Sequence, residues 1–221
     1  MRLTRIALAP AVLAVAALTV TGCAPTAGGD NSGADLAPVE VALITSETGP
    51  LAAYGATYLA GFDAGLAYAT DGTGTVDGRE VNVTVYDDAG DADKAVTVIK
   101  DVIGNGTQIV AGTASSGIAL ALAEQAAQNK ILYISGPAAA DAITGINEYT
   151  FRSGRQTYQD VATAGTFIGD PAGKKVVVFA QDTAFGQGNV AAATAVLGGQ
   201  GAEVASVLVP EDATEFTPFT Q

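Results

Sequence analysis

From Val39 onward, short β-branched runs alternate with helix-patterned segments, and no other feature of the chain constrains its fold as much. The runs VEVALI (39–44), EVNVTVYD (80–87), QIVAG (108–112), ILYIS (131–135), YTFR (149–152), KKVVVFA (174–180) and EVASVLV (203–209) read as strands. Between them, Leu59, Phe62 and Leu66 in 54–69, and Ala95, Val96, Ile99 and Ile103 in 92–103, recur at helical spacing. Asp91 stands where an N-cap belongs, and Gly-Asn-Gly at 104–106 closes that helix. Such alternation implies an α/β fold of Rossmann-like parallel sheets, with right-handed crossovers placing helices on both faces. Ligands of these sheets bind outside the carboxyl ends of the strands, so chemistry is expected in the loops 45–53, 113–117, 136–143 and 181–188. The sequence stops at Gln221, where another helix should begin, and we expect a C-terminally truncated sheet with an unfinished edge.

The N-terminus has a different character. Arg2 and Arg5 precede an apolar stretch from Ile6 to Val20, followed by small residues, which is the layout of a secretory signal peptide. The stretch is shorter than the roughly twenty residues that span a bilayer permanently. The tetrapeptide Val20-Thr21-Gly22-Cys23 resembles the lipobox of bacterial lipoproteins, in which the cysteine is acylated and becomes the new N-terminus. The resemblance implies a signal peptide over 1–22, lipidation at Cys23, and anchoring by more than one acyl chain to the outer face of the cell membrane. Residues 23–38, small and polar, read as a flexible tether.

Composition excludes several functions. Without Arg2 and Arg5 the ten basic residues become eight against 23 acidic ones, a net charge of −15 that disfavours nucleic acid as a partner. The chain has no histidine and its only cysteine is Cys23, so Ser-His-Asp and Cys-His nucleophile systems and the usual zinc sites are not expected. Neither a metal nor a cofactor is expected.

Four loops carry candidate chemistry. In TSETGPLAAYG, Gly49-Pro50 forces a turn and Tyr54 emerges near the helix start, where its ring could wall a pocket or simply pack. In GTASSG, Ser115 and Ser116 fall between a strand and a helix, so their hydroxyls and the free N–H groups of the first turn can converge on a carboxylate, or merely cap the helix. FGQGNVA (185–191) matches G-x-G-x-x-A, but five residues separate the strand from Gly186, where a dinucleotide fingerprint turns at once. YDDAGDAD (86–93) fails EF-hand spacing at Ala89 and Gly90, so capping and a solvated loop are expected instead of calcium.

Taken in order, GPLAAYG, YDDAGDADKAV, GTASSG, ILYISGPAAADAIT, FRSG and DTAFGQG resemble the branched-chain amino-acid (leucine-binding) type of solute-binding protein, the class I periplasmic-binding-protein fold that serves ABC importers. The resemblance covers Val39 to Gln221. It implies two lobes joined by hinge strands, with FRSG as the first crossing, a first lobe over 39–153 and a partial second lobe over 154–221. It further implies that Tyr54 walls the pocket, that Ser116 with the backbone of Ala114 and Ser115 holds a ligand carboxylate, and that Pro137, Ala138 and Ala139 line the ammonium side. Two positions depart from the family's amino-acid binders, which carry Thr where Ala139 stands and Tyr where Phe185 stands; both changes remove a polar handle. The family's acidic ammonium ligand would lie beyond Gln221.

The function so implied is an extracytoplasmic receptor, not an enzyme, that captures a small amino acid, branched-chain by preference, and delivers it to an ABC permease. Small amides or carboxylic acids are the alternative ligands, and a ligand sensor of the same fold the alternative role.

Overall fold

The computed structural model describes residues 36–220. The signal segment, Cys23 and most of the tether lie outside the described residues. Eight strands and five α-helices follow in chain order: β1 (Val39–Thr45), α1 (Ala52–Ala69), β2 (Thr75–Val76), β3 (Arg79–Asp87), α2 (Ala92–Gly104), β4 (Ile109–Gly112), α3 (Ser116–Asn129), β5 (Leu132–Ser135), β6 (Thr150–Arg152), α4 (Thr157–Ile168), β7 (Lys175–Gln181), α5 (Ala184–Val196) and β8 (Glu203–Val209).

Every strand expected from the β-branched runs is present. The short antiparallel β2, two residues long, was not anticipated because it offers no alternation to read. The larger sheet has the order β2-β3-β1-β4-β5-β6 and is parallel except for β2; β7 and β8 form a separate parallel pair. The chain moves from β1 outward to β3, then back across β1 to β4. The strand order therefore reverses between β1 and β4, and a crevice opens at their carboxyl ends.

Central β1 is buried from Val41 to Thr45, as a strand covered on both faces requires. Ala95, Ile99 and Val102 of α2 and Ile118, Leu122, Ala123 and Ala126 of α3 form one cluster with Ile44, Val110 and Tyr133 of the sheet. Burying one such aliphatic side chain contributes about 1.5–3 kcal/mol. The Asp91 carboxylate caps α2, accepting the N–H of Lys94 at 2.9 Å. On α1 the expected stripe of Leu59, Phe62 and Leu66 is only half-buried, and Gly55 is the buried residue of the helix. In the smaller sheet, α5 packs on β7 and β8; along β7, half-buried Val176 and Val178 alternate with exposed Val177 and Phe179.

Candidate functional site

The wall of the crevice is built at the end of β4. Gly112 has φ +116°, and a Cβ there would lie 1.7 Å from the Ile44 carbonyl oxygen, so only glycine can leave the strand at this point. The chain then turns through buried Thr113 into α3. Ser115 is the N-cap and its hydroxyl oxygen accepts the N–H of Ile118 at 3.5 Å. Ser116 opens the helix, is almost fully buried, and its hydroxyl oxygen accepts the N–H of Ala140 at 3.2 Å. That bond leaves the Ser116 O–H proton without an acceptor among the described residues, beside the free N–H groups of the first turn. Together they form a positive, donor-rich corner suited to a carboxylate.

Two neighbouring aspartates fasten the loops around this corner, and Asp88 reaches it through Thr113. The fully buried carboxylate of Asp88 accepts the hydroxyl of Ser46 at 2.5 Å, the hydroxyl of Thr113, and the N–H of Gly90 at 2.8 Å. It thereby ties together the loops that follow β1, β3 and β4. Asp87 accepts the Thr48 hydroxyl at 2.7 Å and the N–H groups of Glu47, Thr48 and Ala89. The Thr48 hydroxyl first, then these amides, hold its carboxyl well below the usual carboxylate range. The acidic run at 86–93 is therefore a brace between loops, and Asp88 is not solvated as expected. Among the described residues no group of three or more Asp, Glu, His or Cys side chains could hold a metal ion.

The opposite wall follows β5. Arg152 on β6 reaches back with Nη2 to the Ala138 carbonyl at 2.8 Å and with Nη1 to the Ala140 carbonyl at 3.3 Å and the Thr144 hydroxyl at 2.9 Å. Thr157 donates both its N–H and its hydroxyl to the Ala139 carbonyl, at 2.8 and 2.9 Å. The carbonyls of Ala138 and Ala140 are thus held by Arg152 and that of Ala139 by Thr157. Pro137 and Ala139 line the crevice, while Ala138 packs into the core cluster.

These walls and the ends of β7 and β8 enclose a cavity of about 280 Å³. Tyr54, Ala114, Ser115, Ser116, Pro137, Ala139 and Phe185 line it together; of the expected site residues, Ala138 alone does not. Tyr54 is 60% and Phe185 41% exposed, so both rings are open walls, not core. Leu51, Gly117, Gln181 and Thr183, within the loops where chemistry is expected but not singled out, and Arg155 and Glu211, outside those loops, complete the lining. Arg155 and Glu211 follow the carboxyl ends of β6 and β8, and that position was the signal that could have found them. Gly186 lies in the first turn of α5, below the Thr183 hydroxyl that caps it at 3.1 Å. A Cβ at Gly186 would meet the Gln181 carbonyl oxygen at 1.8 Å, so the glycine serves close helix–strand packing, and both glycines of the G-x-G-x-x-A match lie within α5 and not in a loop before it.

Parallel α/β sheets whose strand ends converge on one small, half-apolar cavity with a helix N-terminus in its wall define an open α/β binding fold. Comparison with known proteins makes the class specific: the periplasmic binding protein model matches residues 38–221, and the chain belongs to that family. It is 27% identical over 187 residues to the Leu/Ile/Val-binding protein BraC3 of Rhizobium johnstonii, covering 83% of this chain and 51% of the relative. Among solved structures, an ABC-type branched-chain amino acid transporter protein from Rhodopseudomonas palustris CGA009 is 40% identical with a TM-score of 0.65, over 81% of this chain and 49% of that one. A solute binding protein of an ABC transporter from Rhodopseudomonas palustris BisB5, in complex with 3,4-dihydroxybenzoic acid, is 26% identical with a TM-score of 0.69, over 83% and 50%. The chain thus spans about half the length of the relatives it matches.

Proposed function

We propose that this chain belongs to an extracytoplasmic solute receptor of an ABC importer, which holds a small amino acid between a first lobe, 39–153, and a second lobe of which 154–221 is part, and hands it to a permease. The observation that carries the reading is the cavity itself. It joins a carboxylate-binding corner at Ser115 and Ser116 to apolar walls from Leu51, Tyr54 and Phe185, as a ligand with one acidic end and an apolar body requires. Membership of the periplasmic binding protein family and similarity to a Leu/Ile/Val-binding protein support the branched-chain choice. Closure around the ligand would draw its energy from contacts made only in the closed state, with no bond made or broken. Export through residues 1–22 and acylation of Cys23 belong to the same proposal and keep the receptor at the outer face of the membrane.

A second reading, a receptor for aromatic or other simple carboxylic acids, is favoured by Ala139 and Phe185, which offer no hydrogen bond to an ammonium group, and by the dihydroxybenzoic acid bound in one neighbour. A thermal melt of the whole protein, expressed from Ala24 without lipid, separates the two. Ligand at a hundred times its dissociation constant adds about 2.7 kcal/mol, which raises the midpoint by a few degrees in a protein about twice the length of this chain. A shift with leucine, isoleucine or valine supports the first reading, a shift only with benzoates or aliphatic acids the second, and no shift with either class contradicts both.

A further inference from the structure

Two residues of opposite charge line the cavity from loops that no motif singled out: Arg155, between β6 and α4, and Glu211, just after β8. They form no ion pair with each other. The Nε of Arg155 lies 2.7 Å from a carboxylate oxygen of Asp160, on the first turns of α4, which steadies the guanidinium along one edge. Its two terminal nitrogens have no partner among the described residues. The main-chain carbonyl of Glu211 accepts Nε2 of Gln181, a neighbour in the lining, at 3.5 Å, while its carboxylate is likewise unpartnered among the described residues. Both groups are well exposed in this open arrangement, so water satisfies them at little cost.

That changes when the cavity fills. A ligand that displaces water between apolar Leu51, Tyr54 and Phe185 lowers the local dielectric, and each wall charge then needs a partner of opposite sign. A simple carboxylic acid answers Arg155 and the α3 N-terminus but leaves Glu211 desolvated and unpaired. A zwitterion answers all three.

We propose that Arg155 and Glu211 form a charge-selecting pair, Glu211 taking the ligand's ammonium group and Arg155 reinforcing the grip on its carboxylate. The ligand class is then the α-amino acid and not its deaminated counterpart. The inference rests on the receptor reading above and names which of its ligand classes the site prefers. Glu211 replaces, from a different loop, the polar handles absent at Ala139 and Phe185.

The test is calorimetric titration of the whole protein with leucine and valine and with their deaminated counterparts isocaproate and isovalerate, in wild type, Glu211→Gln and Arg155→Gln. Sites built to pair a polar group reject analogues lacking it by large factors. We expect wild type to prefer the amino acids at least about tenfold, Glu211→Gln to erase most of that preference, and Arg155→Gln to weaken both classes. Glu211→Asp, which keeps the charge and shortens its reach, should be intermediate and guards against a folding effect of the glutamine variant. Undiminished amino-acid affinity in Glu211→Gln, or equal affinity of wild type for acids and amino acids, overturns the charge pair and leaves the receptor reading standing. Failure of wild type to bind either class overturns both.

Discussion

The hydroxyl oxygen of Ser116 accepts the main-chain N–H of Ala140 at 3.2 Å, joining the first turn of α3 to the segment that follows β5. One side chain thus couples two walls of the cavity and keeps its own proton for whatever enters. Ser116→Ala should lower ligand affinity at least about tenfold, since a hydrogen bond to a charged group is worth about 1.5–3 kcal/mol, and should also cost about 1–3 kcal/mol of stability by orphaning the Ala140 N–H. Calorimetry and urea unfolding read the two effects separately. Unchanged affinity would remove the serine from the carboxylate corner.

Asp88 binds three loops with one buried carboxylate, so its loss should be felt in both stability and binding. Asp88→Ala leaves two buried hydroxyls and an N–H without their acceptor, and we expect about 3 kcal/mol or more of destabilisation. A fall in the urea midpoint with an unchanged slope would show that the native packing, not the unfolded state, carries the loss.

Arg152 should tolerate no conservative exchange. Its two terminal nitrogens span the carbonyls of Ala138 and Ala140, which a single lysine ammonium cannot do. Arg152→Lys should weaken binding several-fold by releasing the Pro137–Ala139 wall, with about 1 kcal/mol lost in stability. Titration against the same ligand panel checks it.

Asp87 predicts the acid side of the stability curve. Its folded pKa is depressed, chiefly by the Thr48 hydroxyl, so its stabilising contribution is complete above the unfolded value of 3.8 and is lost as pH falls below it toward the folded value. Asp87→Asn should be less stable than wild type near neutrality, and the gap should close on acidification below that value. A gap that stays constant with pH would contradict this role.

Much of this fold was readable in the sequence because β-branched runs bounded by turn residues leave little freedom of assignment: each of the seven strands expected lies within a residue or two of its final position. Likewise Ser115, Ser116, Tyr54 and Phe185 sit in or just beyond strand-to-helix loops, where sheet topology directs attention. What stayed hidden depends on contacts between distant segments. Asp88 looks like a loop acid until Ser46, 42 positions away, and Thr113, 25 positions away, close around it. Ala138 shares a motif with Pro137 and Ala139, and only its packing into the core cluster sets it apart from them. Arg155 lies just past the segment read as a hinge crossing and Glu211 close to the last residues of the sequence, so their meeting at one cavity could not be seen before the two sheets were in place.

The most direct test is a crystal structure of the whole protein with leucine bound. The account predicts the ligand carboxylate within hydrogen-bonding distance of the Ser116 hydroxyl and the N–H groups of the first turn of α3, with the side chain against Tyr54 and Phe185. Density for leucine elsewhere, or a carboxylate facing away from α3, would contradict it.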